Sequence, residues 1–126
     1  MRRIAFFAAI SVASLATGQS HAQDAAAGEK VFTKCKACHV ADQDTNKVGP
    51  SLKGVIGRTA GTHPNFKYSQ AMMDAGKGGL VWDEAKLTEY LKDPKAMVPG
   101  TRMEKPPGPR NDAERTALLD YLKKPH

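Results

Sequence analysis

The chain has 126 residues, of which 40% are hydrophobic, 25% charged and 6% aromatic, with a formal net charge of +6. This is one ordinary domain at most, and it lacks the apolar runs of about 18 residues that a multispan membrane protein requires. From Gln23 onward, Val, Ile, Leu, Met, Phe, Tyr and Trp fill only 24 of 104 positions, while Gly and Pro fill 18. So thin a core implies that something besides side chains fills the centre.

Residues 1–22 read as a secretory signal. Arg2 and Arg3 give a basic start, Ile4 to Ala16 an apolar stretch, and Ser20-His21-Ala22 a small-x-small cleavage site. The apolar stretch falls short of the roughly 20 residues that cross a bilayer. An uncleaved membrane anchor and a buried N-terminal helix are the alternatives. Cleavage after Ala22 leaves a domain over 23–126 in a bacterial periplasm, expected to be a monomer without stable membrane insertion. It carries 17 basic against 13 acidic residues, hence +4. No charged tail is present, which argues against nucleic acid and for steering towards acidic protein surfaces.

Helical spacing occurs in four places, and no segment alternates with the period of a strand. In the first, Gly28 and Phe32 are four apart, as are Val31 and Cys35, with Asp24 as N-cap. In the second, Ser69 caps a short helix carrying Met72, Met73 and Ala75 and stopped by Gly76. In the third, Asp83 caps a stripe of Leu87, Tyr90 and Leu91 that Pro94 ends. In the fourth, Asn111 and Glu114 have capping-box spacing, leading into Leu118, Tyr121 and Leu122 with Lys123 and Lys124 in the last turn. Between these lie long Gly- and Pro-rich stretches, Gly49 to Gly61 and Pro99 to Pro109. Loops of that length in a small domain suggest a wrapping around a ligand.

Both cysteines fall in one string, Cys35-Lys36-Ala37-Cys38-His39. C-x-x-C-H is the attachment signature of c-type haem. Two thiols on one turn reach two vinyl groups and form thioethers, and the adjacent His39 then lies under the iron. A thioredoxin-like redox pair would need a preceding strand. A zinc site would need four ligands, and only His63 and His126 remain in the mature chain, without metal spacing. A structural disulfide would close a tiny loop and leave His39 unexplained. The secretion signal, helical flanks and thin core favour one covalent haem.

The sixth iron position decides what such a haem does: an open one favours ligand or oxygen chemistry, a thioether favours electron transfer. Met72, Met73, Met97 and Met103 survive cleavage, and methionine is by default a gap-filler in a core. Met103 differs because it follows the turn-forming run Val98-Pro99-Gly100-Thr101-Arg102, which presents a side chain from a loop. Spacing alone leaves its role open.

Several separated strings together carry a resemblance. They are Gly28-x-x-x-Phe32, Cys35 to His39, Val48-Gly49-Pro50 with Leu52 and Gly57-Arg58, Phe66-Lys67-Tyr68-Ser69, Trp82, Glu89-Tyr90-Leu91 with Asp93-Pro94-Lys95, Val98 to Met103, and Leu118 to Leu122. The chain resembles a class I cytochrome c of the soluble bacterial periplasmic type related to mitochondrial cytochrome c. The likeness covers about Gly28 to Lys124. It implies an all-α fold of helices and long loops wrapped around one covalent haem c. By the resemblance His39 is the proximal ligand, Pro50 accepts its Nδ1–H, Met103 is the distal ligand, and Tyr90 bonds near that sulfur. Arg58, Tyr68 and Trp82 match groups that satisfy the haem propionates. Gly28, Phe32 and Tyr121 match the contact between first and last helices.

Two segments depart from the family pattern. After Met103 the chain reads Glu104-Lys105-Pro106-Pro107-Gly108-Pro109-Arg110, with Lys105 where relatives commonly have an aromatic. Lys77-Gly78-Gly79 looks like a small insertion. Lys34, Lys36, Lys47, Lys53, Lys95, Arg102 and Lys105 flank the segments expected to frame the haem edge, either as a docking face for redox proteins or as an ordinary solvated surface. The function implied is a one-electron carrier, not an enzyme. The alternatives are a dedicated electron-accepting subunit of a dehydrogenase, or a haem protein with a labile sixth ligand and peroxidase-like or gas-binding activity.

Overall fold

The computed structural model describes residues 20–103 and 108–125. It contains α1 (Ser20–Phe32), α2 (Gln70–Lys77), α3 (Glu84–Lys92), α4 (Pro94–Met97) and α5 (Asp112–Lys123), joined by long loops. Among the described residues the only strand-like bridge is an antiparallel one between Thr59 and Val81. The expected all-α architecture is therefore what the chain adopts.

Local chemistry explains most helix ends. The side chains of Ser69, Asp83 and Asn111 accept from the N–H three residues on, at 3.1, 2.7 and 2.9 Å. Each satisfies one of the N–H groups left unpaired at a helix start. Replacing Asn111 by Ala is expected to cost about 1 kcal/mol, read as a lower denaturant midpoint with an unchanged slope. The reciprocal half of the capping box is displaced, since Glu114 accepts from the N–H of Arg110 at 2.7 Å.

Three expected boundaries move. α1 begins at Ser20, so Asp24 lies inside the helix and is not its N-cap. Cys35 also lies beyond its end, because the backbone tightens after Phe32 into turns, with Cys35 N–H donating to the Phe32 carbonyl at 2.7 Å. α2 runs through Gly76 to Lys77, with Gly78 as the C-cap. Gly76 serves packing instead: a Cβ there would lie 1.9 Å from the Ala60 carbonyl oxygen. Pro94 follows the end of α3 as expected, yet it also opens α4, where its missing N–H costs nothing.

α1 and α5 pack closely against each other. A Cβ on Gly28 would lie 2.1 Å from the Ala117 carbonyl oxygen and 2.6 Å from Tyr121 Cβ. Beside that crossing the Phe32 and Tyr121 rings stand 5.3 Å apart. α3 packs on both α4 and α5, and Lys123 of α5 pairs with Glu84 of α3. The loops are tied together by backbone bonds. Gly57 N–H donates to the Trp82 carbonyl at 2.7 Å, and Trp82 N–H to the Arg58 carbonyl at 2.8 Å. This short ladder brings Arg58 and Trp82, far apart in sequence, to one wall.

Candidate haem site

That wall belongs to a cavity of about 270 Å³ between the helices and loops. Its apolar lining includes Phe32, Leu87, Leu118 and Leu122, all of them buried core residues. Cys35, Cys38, His39, Pro50, Arg58, Tyr68, Trp82, Tyr90 and Met103 line it too. Every site residue named from the sequence thus comes to one place.

His39 is fixed from two sides. Its Nδ1 lies 2.8 Å from the Pro50 carbonyl oxygen. A carbonyl only accepts, so Nδ1 carries the proton and Nε2 keeps its lone pair. Its ring packs on the backbone of residue 49, where a Cβ would stand 2.3 Å from Cε1, and only glycine leaves that room. Gly49 is held in turn by its N–H bond to the Cys38 carbonyl at 2.8 Å. Burial lowers the pKa of His39, with the Arg58 and Lys47 charges adding to it and the Pro50 bond opposing. The imidazole is therefore neutral at pH 7 and suited to bind a metal.

Cys35 and Cys38 are free thiols on one turn, with Cys38 N–H donating to the Cys35 carbonyl at 3.1 Å. Burial pushes the Cys35 thiol up to about 11. An activated redox pair needs a lowered thiol pKa, and the burial of Cys35 works against that. Among the described residues no group of three or more His, Cys, Asp or Glu side chains is arranged to hold a metal ion, and His126 lies outside them.

Met103 is positioned by a residue to which sequence reasoning assigned no role. Thr101 is buried, at 3% exposure. Its Oγ1 accepts from Met103 N–H at 3.3 Å and lies 2.6 Å from Tyr90 Oη. Tyr90 packs on Trp82 at 4.9 Å between ring centroids. A chain of contacts thus runs from Trp82 through Tyr90 and Thr101 to the Met103 backbone. Arg102 pins the same loop by donating from Nη1 to the Lys67 carbonyl at 2.8 Å.

Ser51 was also missed. It is fully buried; its Oγ donates to the Gln43 carbonyl at 2.6 Å and its N–H to Asn46 Oδ1 at 2.9 Å. The Ser51 carbonyl accepts from Arg58 Nη2 at 2.8 Å. Pro50 and Arg58 are thus anchored through one residue. Phe66 and Met72 join the lining without having been singled out for it. Phe66 stands in one of the strings that carry the resemblance, whereas Met72 has only the signal of an ordinary apolar residue.

An apolar slot with a neutral imidazole, a thioether and two adjacent thiols fits a haem, whose macrocycle is apolar. Arg58 and Tyr68 add polar groups to the wall of the slot. Residues 25–125 match the sequence profile of the family described as Cytochrome c. The chain belongs to the cytochrome c family.

Among its relatives is cytochrome c2 of Blastochloris viridis, 40% identical over 124 residues, covering 98% of this chain and 93% of that one. Cytochrome c2 of Afifella marina is 46% identical over 99 residues, covering 78% of this chain and 79% of the other. The solved structure of cytochrome c2 from Rhodospirillum centenum is similar with a TM-score of 0.73 at 39% identity, covering 80% and 97% of the two chains. That of cytochrome cH from Methylobacterium extorquens gives 0.69 at 46% identity, covering 79% and 97%. As a cytochrome c, the chain takes haem c as its cofactor, and its two cysteines suffice for one covalent attachment.

Proposed function

We propose that this cytochrome c is a periplasmic one-electron carrier. Its haem is joined to Cys35 and Cys38, and its iron is bound by His39 and Met103. The observation that carries the ligation is the sharing of one apolar cavity by Met103 and a His39 whose Nδ1 is committed to Pro50. With both axial positions taken by protein, no place is left for a substrate, and electron exchange is the chemistry that remains. The thioether raises the potential. The Pro50 carbonyl fixes the imidazole tautomer and raises its basicity. Arg58, Tyr68 and Trp82 satisfy the propionates, which would be costly to bury alone. Tyr90 helps place the Met103 backbone through Thr101.

Residues 1–22 serve as the export signal, and cleavage after Ala22 would trim the first turn of α1. No helix among the described residues is long and apolar enough to cross a membrane. Lys34, Lys36, Lys47, Lys53 and Lys95 are exposed, as is Arg102, while Lys105 lies outside the described residues. Some have local partners: Lys53 lies 4.0 Å from Asp44, and Lys47 donates to the Lys36 carbonyl at 2.6 Å. Both stay solvent-facing and contribute positive potential. The monomer docks transiently through this face on acidic redox partners.

Two measurements test this reading. Potentiometric titration is expected to follow a single one-electron curve, and a two-electron or irreversible response would refute it. The rate of reduction by the physiological partner is expected to fall steeply between low and about 0.15 M ionic strength, where screening reaches about 8 Å. A rate independent of salt would refute the docking face.

A further inference from the structure

Arg58 is held at the cavity wall by three acceptors. Nη2 donates to the Ser51 carbonyl at 2.8 Å, and Nη1 donates to the Lys53 carbonyl at 3.4 Å and to His63 Nδ1 at 3.1 Å. The first two are backbone oxygens that never change charge. The third is an imidazole nitrogen. Arginine only donates, so this bond exists only while Nδ1 is bare and the ring proton sits on Nε2. His63 is placed by the same wall: its N–H donates to Tyr68 Oη at 3.1 Å. Arg58 and Tyr68 line the cavity, whereas His63 is not part of its lining.

We propose that His63 is a positioning residue for the electron-transfer site: its neutral imidazole helps hold the Arg58 guanidinium at the cavity wall, and proton uptake at Nδ1 breaks that bond, leaving Arg58 to its two backbone acceptors. This rests on the carrier reading above. Protonation removes the acceptor and sets two cations against each other at hydrogen-bond distance. The groups facing His63 are Arg58, the Tyr68 hydroxyl and the Asp44 carboxylate, which itself lies 4.0 Å from Lys53 Nζ. Burial and then the Arg58 charge lower the pKa of the imidazole, with Asp44 opposing, so the bond is intact at neutral pH and is lost as pH falls through the lowered pKa. Reduction adds one electron from the external donor to the site and changes no covalent bond. The added negative charge favours a nearby cation, so a fraction of a proton passes from water to Nδ1. The potential therefore falls as pH rises through the His63 titration and levels off above it.

The test is the midpoint potential of the holoprotein from about pH 5 to about pH 8, for the wild type and His63→Asn. The His63 ring is also titrated by NMR in both oxidation states. Wild type is expected to bind the Nδ1 proton about threefold more tightly when reduced, which is about 30 mV across the window at 59 mV per tenfold. Asn supplies an acceptor oxygen that does not titrate, so its curve is expected to be flat at the wild-type alkaline value. A variant that keeps the wild-type slope would overturn the proposal. So would equal ring pKa values in the two oxidation states, a comparison that needs no variant. The far-red methionine–iron band separates the two readings: its absence from the wild type at neutral pH refutes the ligation, whereas its presence beside a flat wild-type curve refutes only the role of His63.

Discussion

Stripped of haem, the mature chain is expected to lose most of its helix and all cooperative unfolding. The physical reason is that the core residues are also the cavity walls. Phe32, Trp82, Leu87, Tyr90, Leu118 and Leu122 belong to the buried cluster and line the space of about 270 Å³. At about 24 cal/mol per Å³, an unfilled cavity of that size costs about 6 kcal/mol. Whole domains are stable by only about 5–15 kcal/mol. Local structure cannot make up the difference, since α2 and α3 have 8 and 9 residues and isolated helices shorter than about 12–15 residues are marginal in water. Far-UV circular dichroism and hydrogen exchange of the Cys35→Ser, Cys38→Ser chain expressed without haem measure this. A compact apo-form with a sharp transition would contradict it.

Gly28→Val is expected to destabilise the holoprotein by about 3 kcal/mol or more, at the upper end of overpacking effects. On an exposed helix the sign would be opposite, because glycine is worse than most residues by up to about 1 kcal/mol. Packing decides here. The nearest obstacle to a Cβ is the Ala117 carbonyl oxygen at 2.1 Å, which is backbone within α5 and cannot rotate aside. Relief requires moving α1 from α5, which also parts Phe32 from Tyr121. Denaturant titration followed by the haem band gives the value, and a loss under about 0.5 kcal/mol, the range of ordinary surface substitutions, would contradict the close crossing.

Much of this was legible in the sequence because it is local or covalent. Asn111, Asp83 and Ser69 announce helix starts through side chains that bond three residues ahead. The C-x-x-C-H string needs only one turn. The thin core pointed to a filler before any motif was considered, and the resemblance supplied Pro50, Arg58, Tyr68, Trp82 and Tyr90, all of which line the cavity. What was not legible depends on contacts between distant loops. Thr101 bonds to Tyr90, eleven positions away, and Asn46 bonds to Pro64, eighteen away. Such bonds leave no period and no motif. Gly76 was read as a helix stop because glycine serves both as a C-cap and as a place of close approach, and only the Ala60 carbonyl beside it decides between them. In the sequence His63 stands only as a leftover candidate for a zinc site; its bond to Arg58 gives it a different place.

The absorption spectrum of the ferric holoprotein tests the central claim, that His39 and Met103 close both faces of a covalently attached haem, most directly. The wild type is expected to show low-spin ferric haem with the weak far-red band of a methionine–iron bond. In Met103→Ala that band is expected to vanish, with a potential lower by the order of a few tenths of a volt within the about 0.8 V that axial ligands span. A wild type that is high-spin when ferric and binds carbon monoxide readily when reduced, or a Met103→Ala variant with an unchanged far-red band, would contradict the account.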